Sequence, residues 1–183
     1  MNRIKIVSIV LLTALVMTGC ANSKSTGYTK NDEGPKVDLV AELKKSYTPL
    51  YDKTVSPLDK DRPIIYASFA NIDNLSLSST FGRVASEIIS SGLTERGYNV
   101  VEVKMRDSLF IKQEAGEFIL SRNLRYLSQE HDAQAVVLGT YAVGGRNIYI
   151  NARVVRALDS VVLSSHDFVL PLNQDIKHML GLR

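Results

Sequence analysis

Apolar and polar positions change period several times along this chain, and each period predicts a different element. Residues Ile6 to Met17 are uncharged and largely apolar, behind Arg3 and Lys5. That run falls short of the ~20 residues a spanning helix needs, so it predicts a secretory leader over 1–19. Residues 21–36, ANSKSTGYTKNDEGPK, carry almost no apolar content and predict a flexible tether behind Cys20. As a coil it reaches roughly 20–25 Å. Over 37–61, Val37, Val40, Leu43 and Tyr47 follow helical spacing, and Pro49 and Pro57 then mark a surface connection.

The folded domain is expected over 62–183. PIIYASFANI (63–72) has the aromatic and β-branched content of a strand. SSTFGRVASEIISSGLTERG (78–97) predicts a helix, because Phe81, Val84, Ala85, Ile88, Ile89 and Leu93 form one stripe. Ser78 or Ser79 can cap its start and Gly97 its end. YNVVEVK (98–104) alternates, and a second helix is expected within 117–131 on Leu120, Leu124 and Leu127. AVVLGTYAVG (135–144) reads as a buried strand and Gly144-Gly145 as a hairpin turn. NIYINARVV (147–155) alternates, Asp159-Ser160 turns the chain, VVLSSHDFVLPL (161–172) is a last strand, and 173–180 closes as a short helix.

This order, β-α-β-α-β-β-β, predicts an α/β domain with a mixed five-stranded sheet. The crossover helix makes a right-handed parallel unit, and two tight turns make an antiparallel meander. Strands 98–104 and 147–155 each keep a polar face, so the helices are expected mainly on one side. The other side, with Glu102, Tyr149, Asn151 and Arg153, is then wet or covered by a partner.

The leader ends in Met17-Thr18-Gly19-Cys20, which resembles a bacterial lipobox with Met where Leu is usual. Cys20 is the only cysteine, so no disulfide forms within the chain, and lipid attachment explains its place at the end of the run. Several acyl chains anchor stably where one does not. Ala21 and Asn22 lack the Asp that retains such proteins in the inner membrane, which directs the chain to the outer membrane. Losing the first 19 of 183 residues leaves 164, one domain plus a tether. It also removes Arg3 and Lys5, so the net charge of +3 falls to +1 and gives no case for nucleic acid.

Catalytic patterns are sparse. His131, His166 and His178 lie on different elements without metal-ligand spacing, so neither a metal nor a cofactor is expected. There is no Gly-x-Ser-x-Gly elbow, and GTYAVGG leads into a hairpin rather than a helix. Gly139 within a strand marks a bulge or the close approach of another element. In SHD (165–167), the His and the Asp point to opposite faces of a strand. Asp73 and Glu87 read as solvated surface. A hydrolase would depend on one of Ser121, His131 or His166.

GEFILSR (116–122) gathers an acid, a hydroxyl and a guanidinium, yet on a helix Glu117 and Arg122 stand about 140° apart and cannot pair directly. Alternatively Ser121 caps a helix starting at Arg122, with Glu117 in an extended lead-in. In both readings Phe118 and Leu120 anchor the segment. Arg122, Arg83, Tyr149 and Arg153 are the candidate protein-contact residues, since Arg and Tyr are enriched at interfaces.

ASFANIDNLSLSSTFGRVASEI, GEFILSRNL, VVLGTYAVGGRNIYINARVV and the lipobox together resemble the FlgO family of flagellar outer-membrane lipoproteins, over about 62–172. The most specific parts are Phe81-Gly82-Arg83, Gly116-Glu117-Phe118 with Leu120-Ser121-Arg122, and Leu138-Gly139-Thr140. The resemblance implies a non-enzymatic periplasmic component of a ring at the flagellar base, needed for motility, with no catalytic residues. It implies a fold similar to the small α/β domains of curli-secretion, TolB amino-terminal and penicillin-binding-protein-activator lipoproteins. Partners expected from it are the outer membrane, other basal-body proteins and further copies of the chain. The rival expectation is a lipoprotein binding module that activates a periplasmic partner such as a peptidoglycan synthase.

Overall fold

The computed structural model describes the backbone of residues 36–103, 110–112, 118–120 and 122–183, and side chains for 36–103 and 124–183. Cys20, the leader and the tether up to residue 35 lie outside the described residues, as do Gly116, Glu117 and Ser121.

In chain order the elements are α1 (Leu39–Asp52), β1 (Ile64–Tyr66), β2 (Ala70–Asn71), α2 (Thr80–Thr94) and β3 (Val100–Glu102). They continue with β4 (Phe110–Lys112), β5 (Phe118–Leu120), α3 (Arg122–Glu130), β6 (Ala135–Val143), β7 (Asn147–Arg156), β8 (Val162–Pro171) and α4 (Gln174–Met179). Helix starts follow their capping residues. The Asp38 side chain accepts from the Ala41 amide at 3.0 Å, Ser79 from Gly82 at 3.1 Å and Asn173 from Ile176 at 2.8 Å. Gly97 adopts φ +81°, a left-handed conformation open to glycine, just beyond α2.

The main sheet runs β3-β1-β6-β7-β8, parallel from β3 to β6 and antiparallel from β6 to β8. These are the five strands expected. A sixth, β2, also pairs with β6, because the segment read as one strand over 63–72 is interrupted. Ile64 lies opposite Ala135 but Ala70 opposite Thr140, so one extra residue bulges out between β1 and β2.

A helix within 117–131 is present, and of the two readings of GEFILSR the one with an extended lead-in holds. Only Leu120 is corrected, since Phe118–Leu120 pairs antiparallel with Phe110–Lys112 in a separate two-stranded sheet instead of joining the helix. Three-residue strands are too short for alternation to show, and aromatic and β-branched content decides them. The helix begins only at Arg122.

The helices lie mainly on one face, as expected. Ile64, Ile148, Ile150, Ala152 and Val154 point into a core with Phe81, Ala85, Ile89 and Leu93 of α2 and with Ile176 of α4. Helix α1 joins that core through Leu43, Tyr47, Leu50 and Tyr51. On the opposite face Leu124 of α3 packs with Ile65, Val136, Leu138 and Val155. Three helices therefore cover one face, and α3 covers only part of the other.

Candidate functional site

The outward face of the β6–β8 meander lies under α3 at the Leu138 row and is more exposed toward the Gly144-Gly145 turn. Register puts Ala142, Tyr149 and Val169 in one row across the three strands, Thr140, Asn151 and Asp167 in the next, and Leu138, Arg153 and Ser165 in the third. Tyr149 is 51% exposed and Val169 50%. With Ile72, exposed beyond β2, they border a shallow concavity of about 270 Å³. Its polar groups answer one another: the Asn151 amide donates to Ser165 Oγ at 3.2 Å and also to Asp167 Oδ1. An aromatic and aliphatic rim around a satisfied amide–carboxylate pair suits a protein contact.

The expected contact residues divide over the molecule. Tyr149 and Arg153 share this open face, Arg153 half-buried. Arg83 lies on α2, exposed on the other side of the sheet, and donates to Thr80 Oγ1 at 3.0 Å. Arg122 heads α3, and its side chain lies outside the described residues. Sequence reading missed Ile72 and Val169. The signal for Val169 was its odd-numbered position beside Asp167 in β8; Ile72 stands beyond a two-residue strand and carries no periodicity.

The histidines stay apart. His166 stands opposite Ala152 and faces away from Asp167, stacking on Phe168 with ring centroids 5.8 Å apart. Partial burial holds its pKa below the usual range, against the Asp167 charge, which raises it, while Lys53 lowers it further. His131 follows α3 and His178 lies exposed on α4. Among the described residues no three His, Cys, Asp or Glu side chains gather to hold a metal ion, and no helix is long and apolar enough to cross a membrane.

The two motif glycines meet one residue. The ring of Phe69, in the bulge between β1 and β2, lies over Gly139 of β6, while its backbone carbonyl presses on Gly82 of α2. The Phe69 amide also donates to the Gly82 carbonyl at 3.1 Å. Tyr141 closes the arrangement, edge-on to Phe81 at 5.5 Å and bonded through its hydroxyl to Ser79 Oγ at 2.8 Å. These motif positions build the scaffold behind the open face.

The fold defines a class, the small α/β domains with a mixed sheet. One solved member is the LpoB C-terminal domain from Escherichia coli, with TM-score 0.51 and 12% identity over 73% of this chain and 98% of that one. The LpoB C-terminal domain from Salmonella enterica gives 0.49 and 10% over 71% and 96%. The PelC dodecamer from Paraburkholderia phytofirmans gives 0.43 and 14% over 66% and 78%. No curated protein matches the sequence. The family described as FlgO protein matches residues 38–175, three quarters of the chain, and this chain belongs to the FlgO family.

Proposed function

We propose that this chain is an outer-membrane-anchored periplasmic lipoprotein that serves as a structural or assembly component of the flagellar basal body and acts through protein contacts. Membership of the FlgO family over residues 38–175 carries the reading. The lipobox at Cys20 supports attachment by lipid, and the polar stretch to residue 36 supports a domain held a short way from the membrane. The exposed Tyr149 and Val169 supply an aromatic and an aliphatic contact beside the polar row of Thr140, Asn151 and Asp167. The close packing of Gly82 and Gly139 on Phe69 supports a structural role for those two motif positions.

The test is deletion of the gene, followed by a swimming assay and imaging of the basal body in place. Loss of motility with an altered ring around the rod is expected. Normal swimming with unchanged rings would overturn the flagellar role. Cell-wall defects, with a synthase co-purifying, would replace it by the activator reading.

A further inference from the structure

We propose that the outer edge of β8 takes in an extended segment of a partner polypeptide as an added antiparallel strand, with a Lys or Arg of that segment opposite Asp167 and an apolar residue opposite Val169.

β8 ends the main sheet, so one of its edges has no neighbouring strand. The Leu172 amide donates to the Arg146 carbonyl at 2.9 Å, in register with Asn147 opposite Pro171. Antiparallel bonding alternates along a strand. The even-numbered residues of β8 therefore face β7, and Ser165, Asp167 and Val169 turn their amides and carbonyls outward. Among the described residues no backbone group bonds to those three from the outer side.

Long edges are normally blunted by prolines, bulges or covering loops. Here such devices stand only at the ends. The Val55 amide covers one end, donating to the Leu163 carbonyl at 2.9 Å, beside the register shift at Val154 and Val155. Pro171, without an amide, closes the other. Between them 165–169 stay open over roughly 16 Å, room for one short strand.

The side chains select what enters. Ser165, Asp167 and Val169 are exposed on the open face. Asp167 accepts from the Asn151 amide, and none of the ion pairs among the described residues includes it. Residues opposite one another across strands interact directly, so a cation facing Asp167 stabilises the pairing and an acid opposes it. Val169 lies beside Tyr149 on the concavity bordered by Ile72, which receives an apolar side chain from the position facing Val169. Read from its amino end, the segment is apolar, any residue, basic, since alternate residues share a face.

A second copy of the chain fits less well. In a two-fold pairing of β8 with itself, outward residues must meet outward residues, which leaves three registers over the open section. Centred on Asp167, the pairing sets two carboxylates about 5.5 Å apart by Cα. Centred on His166, it needs the Leu163 carbonyl that Val55 holds. Centred on Phe168, it sets Asp167 against Val169 across the axis and Ser165 against Pro171, which has no amide to give.

This deepens the reading of the domain as a protein-contact module and rests on it, but does not need the flagellar assignment. The full chain in detergent is titrated with the peptide acetyl-Thr-Ile-Thr-Lys-Thr-Thr-Thr-amide, following the amide resonances and hydrogen exchange of Ser165, Asp167 and Val169. Saturable shifts and slowed exchange at all three are expected. Methylating the peptide nitrogen of Ile or Lys, which faces the edge, should abolish binding, and methylating that of the Thr between them should cost far less. Exchanging the peptide Lys for Glu should weaken binding about tenfold, and Asp167→Asn should erase that preference. No binding, equal binding of the Lys and Glu peptides, or binding without slowed exchange overturns the proposal. So does slow exchange that is present without peptide and lost on dilution, which gives the edge to a second copy. Loss of swimming on deletion without peptide binding sinks this inference alone, and binding with normal swimming sinks only the flagellar role.

Discussion

The ring of Phe69 occupies the space where Gly139 would carry a side chain: a Cβ there would stand 2.4 Å from the ring. At Gly82 a Cβ would stand 2.2 Å from the Phe69 carbonyl oxygen. One residue is thus clamped between β6 and α2 by two glycines. Gly139→Ala should cost about 1–3 kcal/mol by overpacking. Adding Phe69→Leu should recover part of that, because a smaller side chain can move aside. Gly82→Ala should cost more, since a backbone carbonyl cannot. Urea denaturation of the three variants checks this, and unchanged midpoints for both alanine variants would show that no clamp exists.

Both glycines stood out in the sequence, and Gly139 was read as a place where another element comes close. The identity of Phe69 as that element was not legible, because it depends on a bulge within a segment that reads as one strand. Periodicity located α1, α2 and the β6–β8 meander, whose long patterns average over local irregularity. It could not tell that α1 joins the core or that α3 takes the opposite face, since a stripe says only that a helix is covered, not by what. The β4–β5 pairing was hidden for a simpler reason, strand length. The open face was legible from the polar alternation of β7.

Arg96 fastens α1 to α2. Its guanidinium lies 5.2 Å from the Tyr47 ring centroid and 5.7 Å from that of Tyr51, pairs with Asp52 at 3.0 Å and donates to the Gly92 carbonyl at 2.9 Å. Gly92 lets the Tyr47 ring settle on α2, where a Cβ would stand 2.5 Å from it. Arg96→Ala should cost about 1–2 kcal/mol. Arg96→Lys should recover less than half, because an ammonium cannot stack and fork at once. Thermal melts of the two variants decide the matter; equal stability of Lys and Arg would refute the stacking argument.

Two groups predict pH dependence of opposite origin. The Tyr47 hydroxyl donates to Glu95 and, with Lys44 and Arg96, holds its carboxyl below the usual 4.5, against desolvation. A carboxylate depressed on folding stabilises above its unfolded pKa, and that contribution fades as pH falls through the folded value. Tyr47→Phe should flatten the acid limb below about pH 4.5. His166 is lowered mainly by partial burial, so the unfolded chain binds its proton more readily than the folded one. Stability should therefore decline as pH falls below about 6.5, until both states are protonated, and His166→Gln should remove that decline. Melting temperatures from pH 3 to 8 separate the windows, and an unchanged profile in either variant rejects the corresponding assignment.

The open face makes the functional prediction. Tyr149 and Val169 stand opposite each other across β7 and β8, each about half exposed. Introducing a charge there should leave the fold within about 0.5 kcal/mol of the parent. If this face carries the contact, Tyr149→Asp and Val169→Asp should each impair swimming and assembly while expression and urea midpoint hold, because a desolvated, unpaired carboxylate opposes the interface. Arg83→Ala is the comparison: it is exposed on α2, across the sheet, and its donor already serves Thr80 at 3.0 Å. It should cost little in stability or motility. Swimming that survives both aspartates but fails with Arg83→Ala would move the contact to the helical side.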